Sequence, residues 1–274
     1  MPNIDSSEAD LDLLDFLLDE EPGSSHPGSS RAVTAGIARR PASAVGDPAP
    51  LSFQQRRMWY LHRLDENAAY TICLAFRLDG PFGPAAFEAA ISDIVARHPI
   101  LRTHYAERDG EGFQVVAPAG PVAVDTRDWR DRPEDAAALI SAIREESARP
   151  FDLGSSPLRA MVVRLAEART AIVLTIHHIA ADAWSLGILS GDLLAAYGSR
   201  LAGAAPAWAP LPIDYADFAI WQRETHGPER IAGDLAYWRE RLAGLPVLDL
   251  PTDKPRPRLQ SFNGALVPFT VPAA

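Results

Sequence analysis

Two adjacent histidines, His177 and His178, precede Asp182 by a few residues. Imidazole is the side chain best suited to moving protons near neutral pH, and a second group that orients it makes it effective. Residues 170–176 form an apolar run of strand length, and the residues after the pair have helical periodicity. Side chains alternate along a strand, so one imidazole faces one way and its neighbour the other. Only one can point into a given cavity, which gives the two different jobs. Asp182 falls at the start of the helix, where a carboxylate caps backbone N–H groups or pairs with a buried arginine.

The same residues admit other chemistry. Metal binding by His177, His178 and Asp182 is disfavoured, because adjacent histidines rarely converge on one ion and neither H-E-x-x-H nor further cysteine ligands accompany them. A Ser185 nucleophile lacks the G-x-S-x-G elbow. For two histidines alone, a pair of satisfied core residues near a helix cap is the better reading.

The elements that must position the pair make a mixed α/β pattern from about residue 49. Helical spacing covers residues 52–63, 84–98, 133–149, 184–201, 215–224 and 229–242. Strand-like stretches cover 70–79, 158–166 and 170–177, and 100–107 with 112–117 predict a hairpin across Asp109-Gly110. Prolines exclude regular structure from 250–257, and residues 265–271 read as a last, unpaired strand.

Composition bounds the function. The 274 residues are 47% apolar and 23% charged, which is ordinary for a globular chain long enough to bury a sizeable core. No apolar run spans a bilayer, and the acidic N-terminus is not a secretory signal. Cys73 is the one cysteine, so no intramolecular disulfide forms; it reads as a small buried thiol, and cytoplasm is the expected compartment. Residues 1–21 hold eight acids and no base, leaving 28 acids against 26 bases elsewhere, so the body offers no footprint for nucleic acid. In that segment the acids alternate with Leu11, Leu13, Leu14, Phe16, Leu17 and Leu18 at helical spacing. Residues 22–48, rich in Pro, Gly, Ser and Ala, read as a flexible linker.

The full run His177-His178-Ile179-Ala180-Ala181-Asp182-Ala183-Trp184-Ser185 resembles the H-H-x-x-x-D-G-W-S signature of condensation domains from nonribosomal peptide synthetases, which have the chloramphenicol-acetyltransferase-like fold. Four further stretches resemble the family's motifs in family order. They are Ser52-Phe53-Gln54-Gln55-Arg56-Arg57-Met58-Trp59-Tyr60-Leu61, Arg97-His98-Pro99-Ile100-Leu101-Arg102-Thr103, Tyr215-Ala216-Asp217-Phe218-Ala219-Ile220-Trp221-Gln222, and residues 250–257. Heterocyclisation domains replace the first histidines by aspartate, and epimerisation domains usually lack Trp before Ser; this chain keeps both histidines and Trp184-Ser185.

The resemblance implies an α/β lobe with a mixed sheet flanked by helices, preceded by a flexible acidic segment. It implies that His178 is catalytic, positioning or deprotonating the acceptor's α-amino group as it attacks the donor thioester. His177 would point away and hold the loop, and Asp182 would be structural, with Arg102 the candidate salt-bridge partner. Ala183 stands where the family has glycine, and Trp184 reads as a packing anchor. No metal or organic cofactor is implied; substrates would arrive on phosphopantetheine arms of donor and acceptor carrier domains, with no membrane partner. The motifs cover the family's N-terminal lobe and crossover over residues 49–274, so the second lobe is expected to be missing. Two classes stay open: a truncated amide-forming enzyme, and a non-catalytic module that recruits a carrier protein or synthetase subunit. Residues 4–21 are either a docking helix for a preceding subunit or a solubilising tail.

Overall fold

The computed structural model describes residues 36–64, 68–132, 135–249, 251–255, 257, 258 and 270. The acidic segment 1–21 and the expected strand 265–271 therefore fall outside the described residues, save Thr270. The chain divides into two units, Met1–Arg223 and Glu224–Ala274.

The first unit is built on a four-stranded sheet in the order β2-β7-β6-β5, from β2 (Thr71–Asp79), β5 (Asp125–Asp128), β6 (Leu158–Ala166) and β7 (Arg169–His177). β7 is antiparallel to both neighbours, and β5 runs parallel to β6, so the sheet is mixed as expected. Alternation sorts its side chains. Ile172, Leu174 and Ile176 of β7, with Leu158, Ala160 and Val162 of β6, pack with α2 (Pro84–Arg97) and α4 (Ala183–Leu201). Ala171, Val173, Met161 and Val163 pack on the other face against Leu139 and Ile143 of α3 (Ala136–Ala148). A strand covered on both faces must be apolar throughout, which is why 170–176 shows no polar alternation.

A second, three-stranded sheet in the order β1-β4-β3 joins β1 (Pro48–Pro50), β3 (Thr103–Arg108) and β4 (Glu111–Val116). The hairpin lies where expected. Asp109 and Gly110 both take positive φ, 54° and 80°, the backbone demanded by a two-residue turn between twisted strands. Beside it, α1 (Phe53–Leu64) starts with a reciprocal cap: Ser52 N–H donates to Gln55 Oε1 at 2.9 Å, and Gln55 N–H donates to Ser52 Oγ at 3.0 Å. Gln55 and Gln114, both buried, exchange amide hydrogen bonds, and Gln114 also donates to Pro50 O.

The helix α5 (Tyr215–Thr225), through its residues up to Arg223, completes this corner of the first unit. Tyr215 Oη lies 3.2 Å from Ser52 Oγ, and Phe53 N–H donates to Gln222 Oε1 at 2.8 Å. Two of the motifs picked out in the sequence thus meet as packing partners. The second unit contains α6 (Pro228–Arg241), with proline in its first turn.

Two expectations need correction. Within the stretch read as linker, Ile37 is buried and Arg40 bonds Asp217 through its backbone N–H and its guanidinium, so residues from 37 onward are already tied to the fold. Residues 100–102 are not strand; they belong to a 3-10 turn, Pro99–Arg102, that the proline initiates. Two further strands, β1 and β5, have no apolar alternation in the sequence to mark them.

On the α3 face, the buried Glu146 accepts from Arg159, Arg149 and the Thr175 hydroxyl. Burial pushes its carboxyl up, but the hydrogen bonds from Arg159 and Arg149 outweigh it and hold the pKa below the ordinary value of 4.5. The stability that this cluster supplies is complete above that ordinary value and is lost as pH falls through the depressed one. Glu146→Gln leaves Arg159 without its counter-charge and is expected to cost about 3 kcal/mol, measured as a shift of the urea midpoint at pH 7.

Candidate functional site

The end of β7 is fixed from both sides. His177 N–H donates to Pro157 O at 2.9 Å on the β6 side, and His178 N–H donates to Tyr70 O at 2.8 Å on the β2 side. Ala180 N–H then closes a turn onto His177 O at 2.9 Å. The two histidines separate as strand alternation requires. His177 is 2% exposed, while His178 is exposed and lines a cleft of about 540 Å³.

His177 holds the turn. Its Nδ1 accepts from Ile179 N–H at 3.1 Å, and its ring makes edge contacts with His62 and Phe151. Accepting at Nδ1 places the hydrogen on Nε2, which is buried and has no hydrogen-bond partner among the described residues. Burial, reinforced by the neighbouring histidines His62 and His178, brings its pKa down from 6.5 to about 4. The ring is therefore a neutral structural group.

Asp182 is the N-cap of α4. Its Oδ1 accepts from Ser185 N–H at 2.9 Å and from the Ser185 hydroxyl, while Ser185 Oγ receives Asp182 N–H at 3.4 Å, making a capping box. The hydrogen bonds from the Ser185 side chain and backbone keep the Asp182 carboxyl below its ordinary pKa. Ser185 is thus occupied as a capping residue.

The expected pairing with Arg102 is absent. The Arg102 guanidinium donates to three carbonyls, Ala117 O at 2.8 Å, Val95 O and Ala96 O, because the 3-10 turn aims it at the C-terminus of α2. Arg102 stabilises the scaffold without touching Asp182. Ala183 has no positive φ and does not line the cleft, so its methyl group neither strains the backbone nor narrows the cleft. Trp184 is not a packing anchor within these residues; it is 66% exposed on the first turn of α4.

The cleft walls come from α1, the 3-10 turn, the loop after β7, α4 and Tyr215. Met58, Ile100, Leu101, Ile188 and Leu189 make it largely apolar, and His98 adds a second imidazole. His98 lies 2.7 Å from Asp192 through Nε2. Its partner is 94 residues away in sequence, so no local spacing signals the pair. An exposed imidazole in an apolar cleft, on a backbone fixed by flanking strands, can exchange a proton with a substrate held there. Among the described residues no cluster of His, Cys, Asp and Glu suits a metal ion, and no helix is long and apolar enough to cross a membrane. Cys73 on β2 is partly buried, and burial followed by the Glu146 charge raises its thiol to about 11, which argues against a nucleophile.

Comparison with known proteins agrees with this architecture. A family described as the Condensation domain matches residues 45–274. The chain is 42% identical over 233 residues to the probable non-canonical nonribosomal peptide synthetase CymA of Salinispora arenicola, covering 82% of this chain and 3% of CymA. Among solved structures it is similar to the X-domain from teicoplanin biosynthesis, with a TM-score of 0.70 and 35% identity, covering 80% of this chain and 48% of that one. It is also similar to a chain from the complex of that X-domain with OxyB, with a TM-score of 0.70 and 33% identity, covering 86% of this chain and 50% of that one.

Two measurements check the site's structural half. Asp182→Ala is expected to lower stability by about 1 kcal/mol, the usual cost of an N-cap, in urea unfolding. The His177 ring is expected to stay neutral until about pH 4 by NMR titration. Because the unfolded chain takes up that proton near 6.5, the contribution of His177 to stability is present above 6.5 and is lost as pH falls toward 4.

Proposed function

Since the chain belongs to the Condensation domain family, we propose that it supplies the histidine-bearing wall of an amide-forming site. The observation that carries this reading is the division between the histidines: His177 is buried in the turn, and His178 alone of the two lines the cleft. The acceptor is an aminoacyl group and the donor an acyl or peptidyl thioester, each delivered on the phosphopantetheine arm of a carrier domain. The amine nitrogen attacks the thioester carbonyl carbon, a C–N bond forms, and the C–S bond breaks. His178 takes the proton lost by the amine and returns it to the departing thiolate. A thioester is already activated, so alignment in the cleft and this proton transfer are the main contributions required of the protein. Neither step needs a metal or organic cofactor held by this chain, and the single thiol suits the reducing cytoplasm.

The chain spans 3% of CymA and about half of the X-domain chains. The remainder of the family's fold would supply the second wall of the cleft, facing the exposed Trp184 and Ile188 of α4. The likeness to an X-domain solved in complex with OxyB favours a second reading, in which the lobe recruits a partner protein; the partner we propose for it is a carrier or synthetase subunit.

Incubation with loaded donor and acceptor carriers separates the two. Amide formation that His178→Ala reduces at least a hundredfold without moving the unfolding midpoint supports the enzyme; carrier binding with no amide from the unaltered chain supports the recruiting module. The acidic segment 4–21 is proposed to dock a preceding synthetase subunit through its apolar face. Deleting residues 1–22 should then slow transfer from that subunit, and unchanged transfer removes the docking role.

A further inference from the structure

The second imidazole of the cleft has an arrangement that the proposed proton transfer does not use. His98 caps the C-terminus of α2 and lines the same cleft as His178. Its Nε2 lies 2.7 Å from Asp192 Oδ2, and the same oxygen receives Arg97 Nε at 2.8 Å. Arg97 is itself held in place, donating to Ala209 O at 2.9 Å and lying 4.8 Å over the Trp208 ring. A carboxylate paired with arginine accepts hydrogen bonds and donates none, so His98 carries its hydrogen on Nε2. Its Nδ1 then keeps a bare lone pair. Burial, the largest influence, holds the His98 pKa below the ordinary 6.5 despite the Asp192 hydrogen bond, and Arg97 opposes a further positive charge. The described polar contact of the ring is with Asp192 alone, leaving Nδ1 for whatever enters.

A lone pair fixed in a largely apolar cleft favours a ligand that presents an N–H and penalises one that presents only oxygen acceptors. We propose that His98 is a substrate-binding residue whose Nδ1 accepts a hydrogen bond from the α-amine of the aminoacyl acceptor, with Asp192 and Arg97 as positioning residues that fix its tautomer. This rests on the amide-forming reading for the identity of the ligand. It divides the labour between two imidazoles, His98 orienting the amine and His178 handling its proton.

The test reads binding and tautomer, so it does not depend on turnover. The full chain, labelled with ¹⁵N-histidine, is titrated with a glycyl amide of aminopantetheine and with its acetyl counterpart, which lacks the amine. The free chain is expected to show His98 protonated at Nε2 and bare at Nδ1, and only the glycyl probe should shift Nδ1. His98→Gln retains an N–H toward Asp192 but removes Nδ1; it should weaken the glycyl probe about five- to tenfold and leave the acetyl probe unchanged, the effect of one hydrogen bond. Asp192→Asn, which permits the Nδ1–H tautomer, should weaken the glycyl probe in the same direction with His98 intact. Protonation at Nδ1 in the free chain, no response to the glycyl probe, or equal weakening of both probes by His98→Gln would overturn the proposal. Loss of amide formation on mutating His178, with no effect at His98 on either probe, would leave the enzymatic reading standing and remove this one.

Discussion

The cleft depends on β7 being covered on both faces and paired on both edges. A strand in that position has no freedom of register: a slip by one residue would put Thr175 and His177 among the side chains of α2 and α4 and would expel Leu174 and Ile176 toward α3. The cost of that exchange fixes which histidine is buried and which is presented. The flanking hydrogen bonds from His177 N–H and His178 N–H extend this constraint two residues past Ile176, the last β7 side chain of the apolar core, to the start of the turn. The placement of His178 at the cleft is therefore set by the packing of core residues that do not line it.

The corner formed by α1, β4 and α5 has a different logic. Its centre is polar: Ser52, Gln55, Gln114 and Gln222 are buried, and their amides and hydroxyl satisfy one another or backbone groups. A fully satisfied network of this kind specifies geometry more sharply than an apolar contact would, because any displacement leaves a buried donor or acceptor unpaired. It ties the start of α1, which carries Gln54, Arg57 and Met58 to the cleft, to α5, which carries Tyr215 there. The resemblance of these residues to the family's motifs thus has a structural basis, separate from that of the histidine run.

Periodicity made most elements legible, and the helices and the three central strands lie within a few residues of where apolar spacing places them. What it could not show are elements with no apolar pattern. Asp125–Asp128 is a run of charged and polar residues at the sheet edge, and Pro48–Pro50 places two prolines on the edge of the smaller sheet. The partner of Arg102 was misread for a related reason, since a single 3-10 turn redirects a side chain that strand geometry would have sent elsewhere. The opposite orientation of the two histidines followed from alternation alone. The contact between His98 and Asp192 did not, because it joins two helices far apart in sequence that the core brings together. Trp184 shows the limit of reading a large aromatic as buried: its place on the first turn of α4 directs it outward.

The capping of α4 has an electrostatic consequence. A helix N-terminus beside a reactive cleft is ordinarily a ready receptor for anions, because its first N–H groups are unpaired and its dipole is positive there. Here the Asp182 carboxylate already occupies that position, bonded to Ser185 N–H and carrying a full negative charge into it. The end of α4 nearest His178 is thereby closed to negative charge. In the proposed reaction, an oxyanion approaching that end would meet the Asp182 charge, so its stabilising donors are expected from another direction.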